Sequence, residues 1–398
     1  MATGITKNTS VIGIEVESTE GTYVAPSAAT SYVQPLADGF DLTPSREKID
    51  RAVLTSSIGK ATPRLGIKSV QASLPVEFRA SGTEGADVDF GLLLKGALGA
   101  TRSISTTTTT KNSGNTGSSL KIQDADISKF NVGDIILVKE TGEHHVCAIT
   151  AVDSTGGAAA ITITPPKASG SFSNSVVISK STMYYTASSG HPAISLSYYW
   201  ANEILQSAAG CKVTSMSLDN FSTGQVASLK FGLEGLAYAE SNTVAPHTPS
   251  YDSGIPPIIL GATIYRDGTA IEVNKFGLSV ANSLSFITAT SNENGKSASR
   301  IVERTITGSL DPYKDDTTTT YHDAFNAGTE FSLLIKAFNP SATAGEYTMG
   351  SVVGIYLPKC IAVETKVADN DGILTDEISF QAVRGSAGAT EEMYLGLI

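Results

Sequence analysis

The sequence predicts a mainly β protein of α+β units: two tandem copies of one strand-rich unit, with a small β domain inserted into the first copy. Three observations carry this. The chain matches itself at a constant offset of 236 residues, alternating apolar and polar residues recur along it, and helical spacing is confined to two short stretches.

The repeat sets the organisation. Phe40 and Leu42 fall on Phe276 and Leu278, Gly59-Lys60 on Gly295-Lys296, Arg64 on Arg300, Val70 on Ile306, and Ser73-Leu74 on Ser309-Leu310. No gap is needed across this 35-residue window. Further on, Cys211…Asp219-Asn220…Phe231 reads like Cys360…Asp369-Asn370…Phe380, with one-residue slips and an offset near 149. The offset falls by 236 − 149 = 87, so the first copy holds about 87 extra residues between Leu74 and Cys211. The expected domains are 1–101 with 188–245, an insert at 102–187, and 246–398. A length of 398 residues suits two or three domains.

The elements follow in order. VIGIEV (11–16) is β-branched and opens a half-buried strand. Val70, Ala72, Leu74, Val76 and Phe78 alternate with polar or small residues, giving one apolar face. Leu229, Phe231 and Leu233 alternate likewise, as do Ile378, Phe380 and Ala382. Residues 87–99 (DVDFGLLLKGALG) place Val88, Leu92 and Leu93 on one helical surface, with Asp87 or Asp89 available as a cap and Gly99 as a terminator. A shorter helix is expected at Tyr321–Phe325, ahead of Gly328. The insert opens on SISTTTTTKNSGNTGSS (103–119), whose composition reads as a linker. Strand-like runs follow at 134–140, 144–152, 159–164 and 175–179, a small independent β barrel or sandwich. The host unit resumes through Tyr184-Tyr185 and 194–199.

Composition narrows the function. No apolar run approaches 18 residues, which argues against a membrane-spanning helix, and the first residues lack the basic and apolar regions of a secretion signal. Cys147, Cys211 and Cys360 do not form a disulfide framework and are read as small buried hydrophobes. Net charge is −11, and residues 237–398 carry 10 basic against 19 acidic side chains, or −9. An acidic surface repels phosphate and argues against gripping nucleic acid.

Catalytic and metal patterns were sought among the five histidines and the glycine-rich turns. Glu143, His145 and Cys147 share one strand face, as zinc ligands could, but the spacing matches no closed site and Cys147 sits in an apolar run. A half-buried strand is the better reading. Gly295-Lys296-Ser297 suggests a phosphate loop, but Thr290 stands where that loop requires glycine. A duplicated turn glycine before an exposed lysine accounts for it. The chain has no G-x-S-x-G and no dinucleotide fingerprint. No enzyme activity, cofactor or metal is expected.

Two segments of equal length recur with different chemistry. Residues 43–63 hold the charged cluster Arg46, Glu47, Lys48, Asp50 and Arg51; residues 279–299 hold Leu284, Phe286 and Ile287. Equal length suggests fixed geometry, and different chemistry suggests that each meets a different neighbour.

These residues resemble the tail-tube (major tail) proteins of long-tailed, non-contractile bacteriophages. The likeness rests on Val16-Glu17-Ser18, on Glu20 through Pro26 (EGTYVAP), on Pro44-Ser45-Arg46-Glu47 with Arg51, and on Ile58-Gly59-Lys60 with Arg64. The strand from Val70 to Phe78 and the helix ending Gly96-Ala97-Leu98-Gly99 extend it. It is best over 11–101, weaker over 188–236, and over 260–398 it rests largely on the repeat.

The resemblance implies two tandem tail-tube β-sandwich domains, each with a flanking helix. Six such domains form a ring whose inner strands close into a barrel, and rings stack into a hollow tube through which viral DNA leaves. A two-domain chain closes that ring with three copies, a homotrimer with pseudo-sixfold symmetry. The implied partners are other copies of the chain and the tape-measure, tail-terminator and distal tail proteins. DNA passes without specific binding, no membrane is involved, and the tail is made in the host cytoplasm. The two recurring segments are then expected to contact successive rings: deleting 46–51 permits folding but blocks elongation. The insert is expected on the outside as a decoration needing no rigid alignment, removable without loss of tubes. A carbohydrate-binding adhesin, suggested by the β-rich composition and 14 tyrosines, and the inner tube of a contractile secretion machine are the alternatives.

Overall fold

Alternation of side chains builds the main sheet. Val70, Ala72, Leu74, Val76 and Phe78 are all buried, which commits one face of strand Arg64–Glu77 to a core. The computed structural model describes residues 6–54, 56, 58–314, 320–385 and 391–398. Eight of its strands lie side by side, all antiparallel, as a continuous wall. Their lateral order is Asp41–Ile49, Arg64–Glu77, Ser228–Gly235, Ile204–Asp219, Val273–Thr288, Lys296–Pro312, Ile373–Ala382 and Val353–Asn370. The first four precede residue 246 and the last four follow it.

The two halves of the wall use the same ladder. Asp41↔Ser73 through Arg46↔Lys68 reappear, 236 residues on, as Gly277↔Ser309 through Asn282↔Arg304. Each ladder then bulges, and Lys48↔Leu65 is matched by Leu284↔Ile301. Strands Ile204–Asp219 and Val353–Asn370 bulge at Thr214 and Val363, and 363 − 214 = 149. One expected alignment shifts. Phe231 lies opposite Leu74, but the residue opposite Leu310 is Ile378, so Phe380 takes the place of Leu233. A two-residue slip keeps the same face, which is why the sequence pattern hid it.

Beyond their bulges these two strands leave the wall and enter an outer layer. Ile204–Asp219 pairs there with Ile194–Trp200 and Ala237–Ser241, and Val11–Val16 and Tyr32–Val33 continue that layer. Val353–Asn370 pairs with Glu330–Ala337 and Tyr394–Leu397, and Thr263–Arg266 and Thr269–Ile271 continue the second. Between wall and outer layers lies the core, with Leu74, Phe90, Leu93 and Phe231 in the first half and Phe276 stacked on Phe380 in the second.

Helix Gly91–Leu98 packs on strand Ile204–Asp219, and helix Thr320–Ala327 packs on Val353–Asn370. Both have eight residues, so the second is not the shorter. Gly99 ends the first with φ +108°, as expected of a left-handed terminator. Neither Asp87 nor Asp89 caps it. Phe90 occupies the cap position without a side-chain bond, because both carboxylates are committed elsewhere. Asp87 accepts from Tyr184 and from the Val88 amide, and Asp89 is buried against Arg79 at 2.9 Å.

The insert is a 6-stranded antiparallel sheet spanning Thr108–Thr109 to Val177–Ile178. The threonine-rich stretch is part of it rather than a linker. Thr108, Thr110 and Asn115 are buried, and Asn115 Nδ2 donates to Thr110 Oγ1 at 3.0 Å while its Oδ1 accepts from the Lys121 amide at 2.9 Å. Strand Ile135–Glu140 is buried on both faces, which explains its unbroken apolar run. Ile136 and Val138 face the insert's own core with Cys147 and Phe172. Ile135 and Leu137, with Val146 and Ala148, pack against Leu334, Tyr356, Tyr394 and Ile398 of the second half. This sheet is therefore packed on the second half through a buried apolar contact, where the sequence suggested a decoration needing no rigid alignment. Gly354 and Gly396 make room for it: a Cβ on either would lie within 2.9 Å of Ile135 side-chain atoms.

Candidate functional site

The wall has two unlike faces and two open edges. The core side of each strand is apolar. Thr43, Ser45 and Ser69, Ser215 and Ser217, Ser279, Thr305 and Thr307 alternate onto the other side, which is open to solvent. Ser45 and Ser69 share a hydroxyl hydrogen bond of 2.7 Å across the ladder. Charged positions on this side are mostly acidic: Asp41, Glu77, Asp219, Glu234, Glu364 and Glu377, against Lys230 and Lys366. Lys366 pairs with Glu377 at 3.1 Å. Lys212, opposite Glu234, turns away and donates from Nζ to the His191 carbonyl at 2.7 Å.

Strand Asp41–Ile49 forms one edge. Among the described residues it pairs only with Arg64–Glu77, and every residue on it except Leu42 is exposed. At the other end of the wall, residues 364–370 pair, among the described residues, only with Ile373–Ala382. Such edges present unpaired backbone donors and acceptors and are templates for another strand. Inside the wall the equivalent edges are already joined: Ser215↔Ala281, Met216↔Val280, Ser217↔Ser279 and Leu218↔Leu278 connect the two halves.

The residues singled out from the recurring segments lie on the two hairpins above the wall. Arg46, Glu47 and Lys48 stand exposed on the edge strand, and Asp50 and Arg51 follow it. Lys48 and Asp50 form an ion pair at 3.0 Å with both side chains 60% exposed, so it adds little stability. Leu284 and Phe286 are half-buried and Ile287 exposed on Val273–Thr288. The hairpins meet where the Lys68 amide donates to the Asn294 carbonyl at 3.3 Å. Lys296, expected to be exposed, is not: its side chain is 10% exposed, lies 3.5 Å above the Phe286 ring and faces Glu234. Sequence reasoning gave no contact role to Val53, Leu54 and Ile58, which protrude from the first hairpin, the last two with no cover at all. Their signal was apolar residues without strand or helix period in RAVLTSSIGK.

The N-terminal motif has a structural role. Glu17 is buried and accepts from the Gly210 amide at 2.7 Å, from Ser195 Oγ at 2.8 Å and from the Gly21 amide at 2.7 Å. Glu20 accepts from the Ser299 amide and hydroxyl and from Arg300 at 3.0 Å, tying the first half to the second hairpin.

Glu143, His145 and Cys147 do not converge on a metal. His145 Nε2 bonds the Pro165 carbonyl at 2.9 Å, and Cys147 is buried in the insert's core, where desolvation pushes its thiol far up. Nearby, Lys336 lies among the rings of Tyr265, Phe338 and Tyr347 and donates to the Tyr347 hydroxyl at 3.2 Å. Burial pulls its pKa down to about 8. Among the described residues no group of ligating side chains is suited to a metal, and none of their helices is long and apolar enough to cross a membrane.

A comparison with curated proteins finds no match. A family model described as "Phage tail tube protein" matches residues 7–382. A long antiparallel wall, polar on one side and open at both edges, in a chain matched over nearly its whole length, places this protein in the phage tail tube family as a structural component of a virion tail.

Proposed function

We propose that three copies of this chain close a ring with pseudo-sixfold symmetry, and that stacked rings enclose the channel through which the DNA of a long-tailed, non-contractile phage is delivered. The observation that carries this is the wall: two four-stranded halves with the same ladder and bulges, joined edge to edge within one chain, with the same two edges left open at its ends. A duplicated tube domain produces that arrangement. The domains are 1–101 with 188–245, and 246–398, and 102–187 is the insert.

The polar face of the wall is then the channel lining. Hydroxyl groups and carboxylates such as Glu234 and Asp219 outnumber the cations Lys230 and Lys366 on this face, and Lys366 is paired with Glu377, so passing phosphates find little counterion release to retain the strand. The hairpins carry the contacts between rings through Glu47, Lys48, Asp50, Arg51, Leu284, Phe286 and Ile287, with Leu54 and Ile58 as apolar anchors, while Arg46, expected among them, is assigned instead to the seam between copies. The insert, docked on the outer layer of the second domain, lies outside the channel. Tape-measure, tail-terminator and distal tail proteins are the partners at the tube's length and ends.

End-on electron microscopy of the purified, assembled protein tests the reading. Three chains per ring, with six similar lobes around a lumen, are expected. Rings of six whole chains would require a different stoichiometry, and particles that never form rings would refute the tube.

A further inference from the structure

We propose that the open edge of one chain pairs with a second copy in the register of the internal seam, Thr43 opposite Lys366 and Leu42 opposite Val367, and that Arg46 and Lys68 thereby cap the carboxyl end of the second copy's helix Thr320–Ala327. The proposal rests on the ring reading above and specifies the surface that closes it.

The register follows from two offsets that the ladders fix. In the internal seam Ser217 faces Ser279 and Leu218 faces Leu278. Strand Val353–Asn370 repeats Ile204–Asp219 at +149, set by the bulges at Thr214 and Val363. Strand Asp41–Ile49 repeats its counterpart at −236, set by the shared ladder. Ser217 thus becomes 217 + 149 = Lys366, and Ser279 becomes 279 − 236 = Thr43. The same arithmetic turns Leu218 and Leu278 into Val367 and Leu42.

Side chains at the open edges fit this register. In the internal seam Leu218 and Leu278 are each 5% exposed, whereas Val367 is 57% exposed. An apolar side chain at that position on an exposed strand is accounted for once a neighbouring strand covers it. Pro44 falls opposite Thr365. It has no N–H, so the outer seam has at most one hydrogen-bond donor fewer than the inner one.

The second, independent observation is at the helix. Across the internal seam Asn282 Nδ2 donates to the carbonyls of Ala97 and Val213, both at 3.0 Å. Arg304, its partner on the ladder, donates to the Ala187 carbonyl at 3.0 Å and reaches the Leu98 carbonyl at 3.4 Å. Together they satisfy carbonyls at the end of helix Gly91–Leu98, which a helix leaves without partners of its own. The transposed residues are Arg46 and Lys68, again partners on the ladder. Both are cations, which the negative end of a helix favours. The helix they would meet packs on Val353–Asn370 as the first packs on Ile204–Asp219.

Cysteine pairs test the register in assembled tubes. The native cysteines are buried and do not compete. Thr43→Cys/Lys366→Cys tubes, treated with a short bifunctional thiol reagent, should give covalent multimers under denaturing conditions. Thr43→Cys/Asn370→Cys, four residues out of register, should give roughly tenfold less product or none. Tubes that cross-link better through Asn370 overturn the register and leave the tube reading intact. An unmodified chain that never forms tubes overturns that reading and this one with it. Arg46→Glu/Lys68→Glu should keep the thermal midpoint of the unassembled chain and reduce tube yield by roughly tenfold or more. Arg46→Asn, the residue type of the internal seam, should retain assembly. Normal yield from the charge-reversed chain overturns the capping.

Discussion

Whether the insert is seated or merely attached can be measured at one contact. Ile135 is fully buried between the insert and the second half. A Cβ built on Gly354 would stand 2.9 Å from its Cγ2 and 3.4 Å from its Cδ1. Gly354→Ala alone therefore overpacks the contact, at a cost of about 1–3 kcal/mol. Ile135→Ala alone removes the clashing atoms and leaves a hole, at a cost of about 2–5 kcal/mol. In the double variant the new methyl occupies the vacated space. Its cost should fall short of the sum by about 1–3 kcal/mol, a coupling well outside the scatter of independent sites. The assay is denaturant unfolding of the unassembled chain, with hydrogen exchange over 135–140 and 143–153 to locate the opening. Costs that add to within about 0.5 kcal/mol would show that Ile135 and Gly354 do not touch, and the seated insert would have to be abandoned.

Three further outcomes are expected. Leu54→Asp/Ile58→Asp should leave folding unchanged, since both side chains are uncovered, but stop rings from stacking, seen as isolated rings by microscopy; normal tubes would remove the hairpin from the contact. Glu234→Lys/Asp219→Lys should assemble normally yet slow DNA release, with the delay easing as salt is raised; unchanged, salt-independent release would mean that these carboxylates do not face the channel. Burial raises Asp89 to about 6 from an ordinary 3.8. Its folded pKa lies above its unfolded one, so its contribution to stability is full below about pH 3.8 and lost as pH rises through about 6. A shift of about two units corresponds to about 3 kcal/mol at most. Asp89→Asn should flatten the slope of unfolding free energy across this window, and an unaltered slope would contradict the assignment.

What the sequence disclosed depended on the range of the forces involved. The alternation from Val70 to Phe78 was legible because a sheet with one buried face writes its pleat into the residue order. The equivalence of the two hairpins was legible because the repeat runs through them without a gap, and the structure pairs them alike as far as Ile49↔Arg64 and Ser285↔Arg300. Asp87 and Asp89 looked like caps because nothing local shows that Tyr184 and Arg79 claim them. The threonine-rich stretch looked like linker for a related reason. Composition counts polar residues but not whether, like Asn115 with Thr110, they satisfy one another inside a fold. The seating of the insert was out of reach, because Ile135 and Leu137 meet Leu334, Tyr356 and Tyr394 from the far end of the chain. The open edges were equally hidden. A strand lacking one neighbour differs from a paired strand only in what is absent, and Arg46 and Lys48 on strand Asp41–Ile49 read as contacts between successive rings rather than as the marks of an open edge.

Those edge charges also bear on how assembly is controlled. A long exposed strand invites uncontrolled pairing, and charged side chains and proline are the usual means of discouraging it. Strand Asp41–Ile49 has Pro44, Arg46 and Lys48, and the opposite edge has Glu364, Lys366 and Asp369. A lone chain is thereby protected from chance strands, while a partner presenting a helix end to Arg46 converts the same charge into an attraction. If the chain joins two tube domains as proposed, that fusion acts in the same direction. On the trimeric reading, half of the six seams in a ring form within a chain, where tethering supplies an effective concentration of roughly millimolar, and only three await encounter in solution. Joining the domains should therefore steepen ring formation at low protein concentration relative to the separated halves, without adding any contact that the separate domains lack.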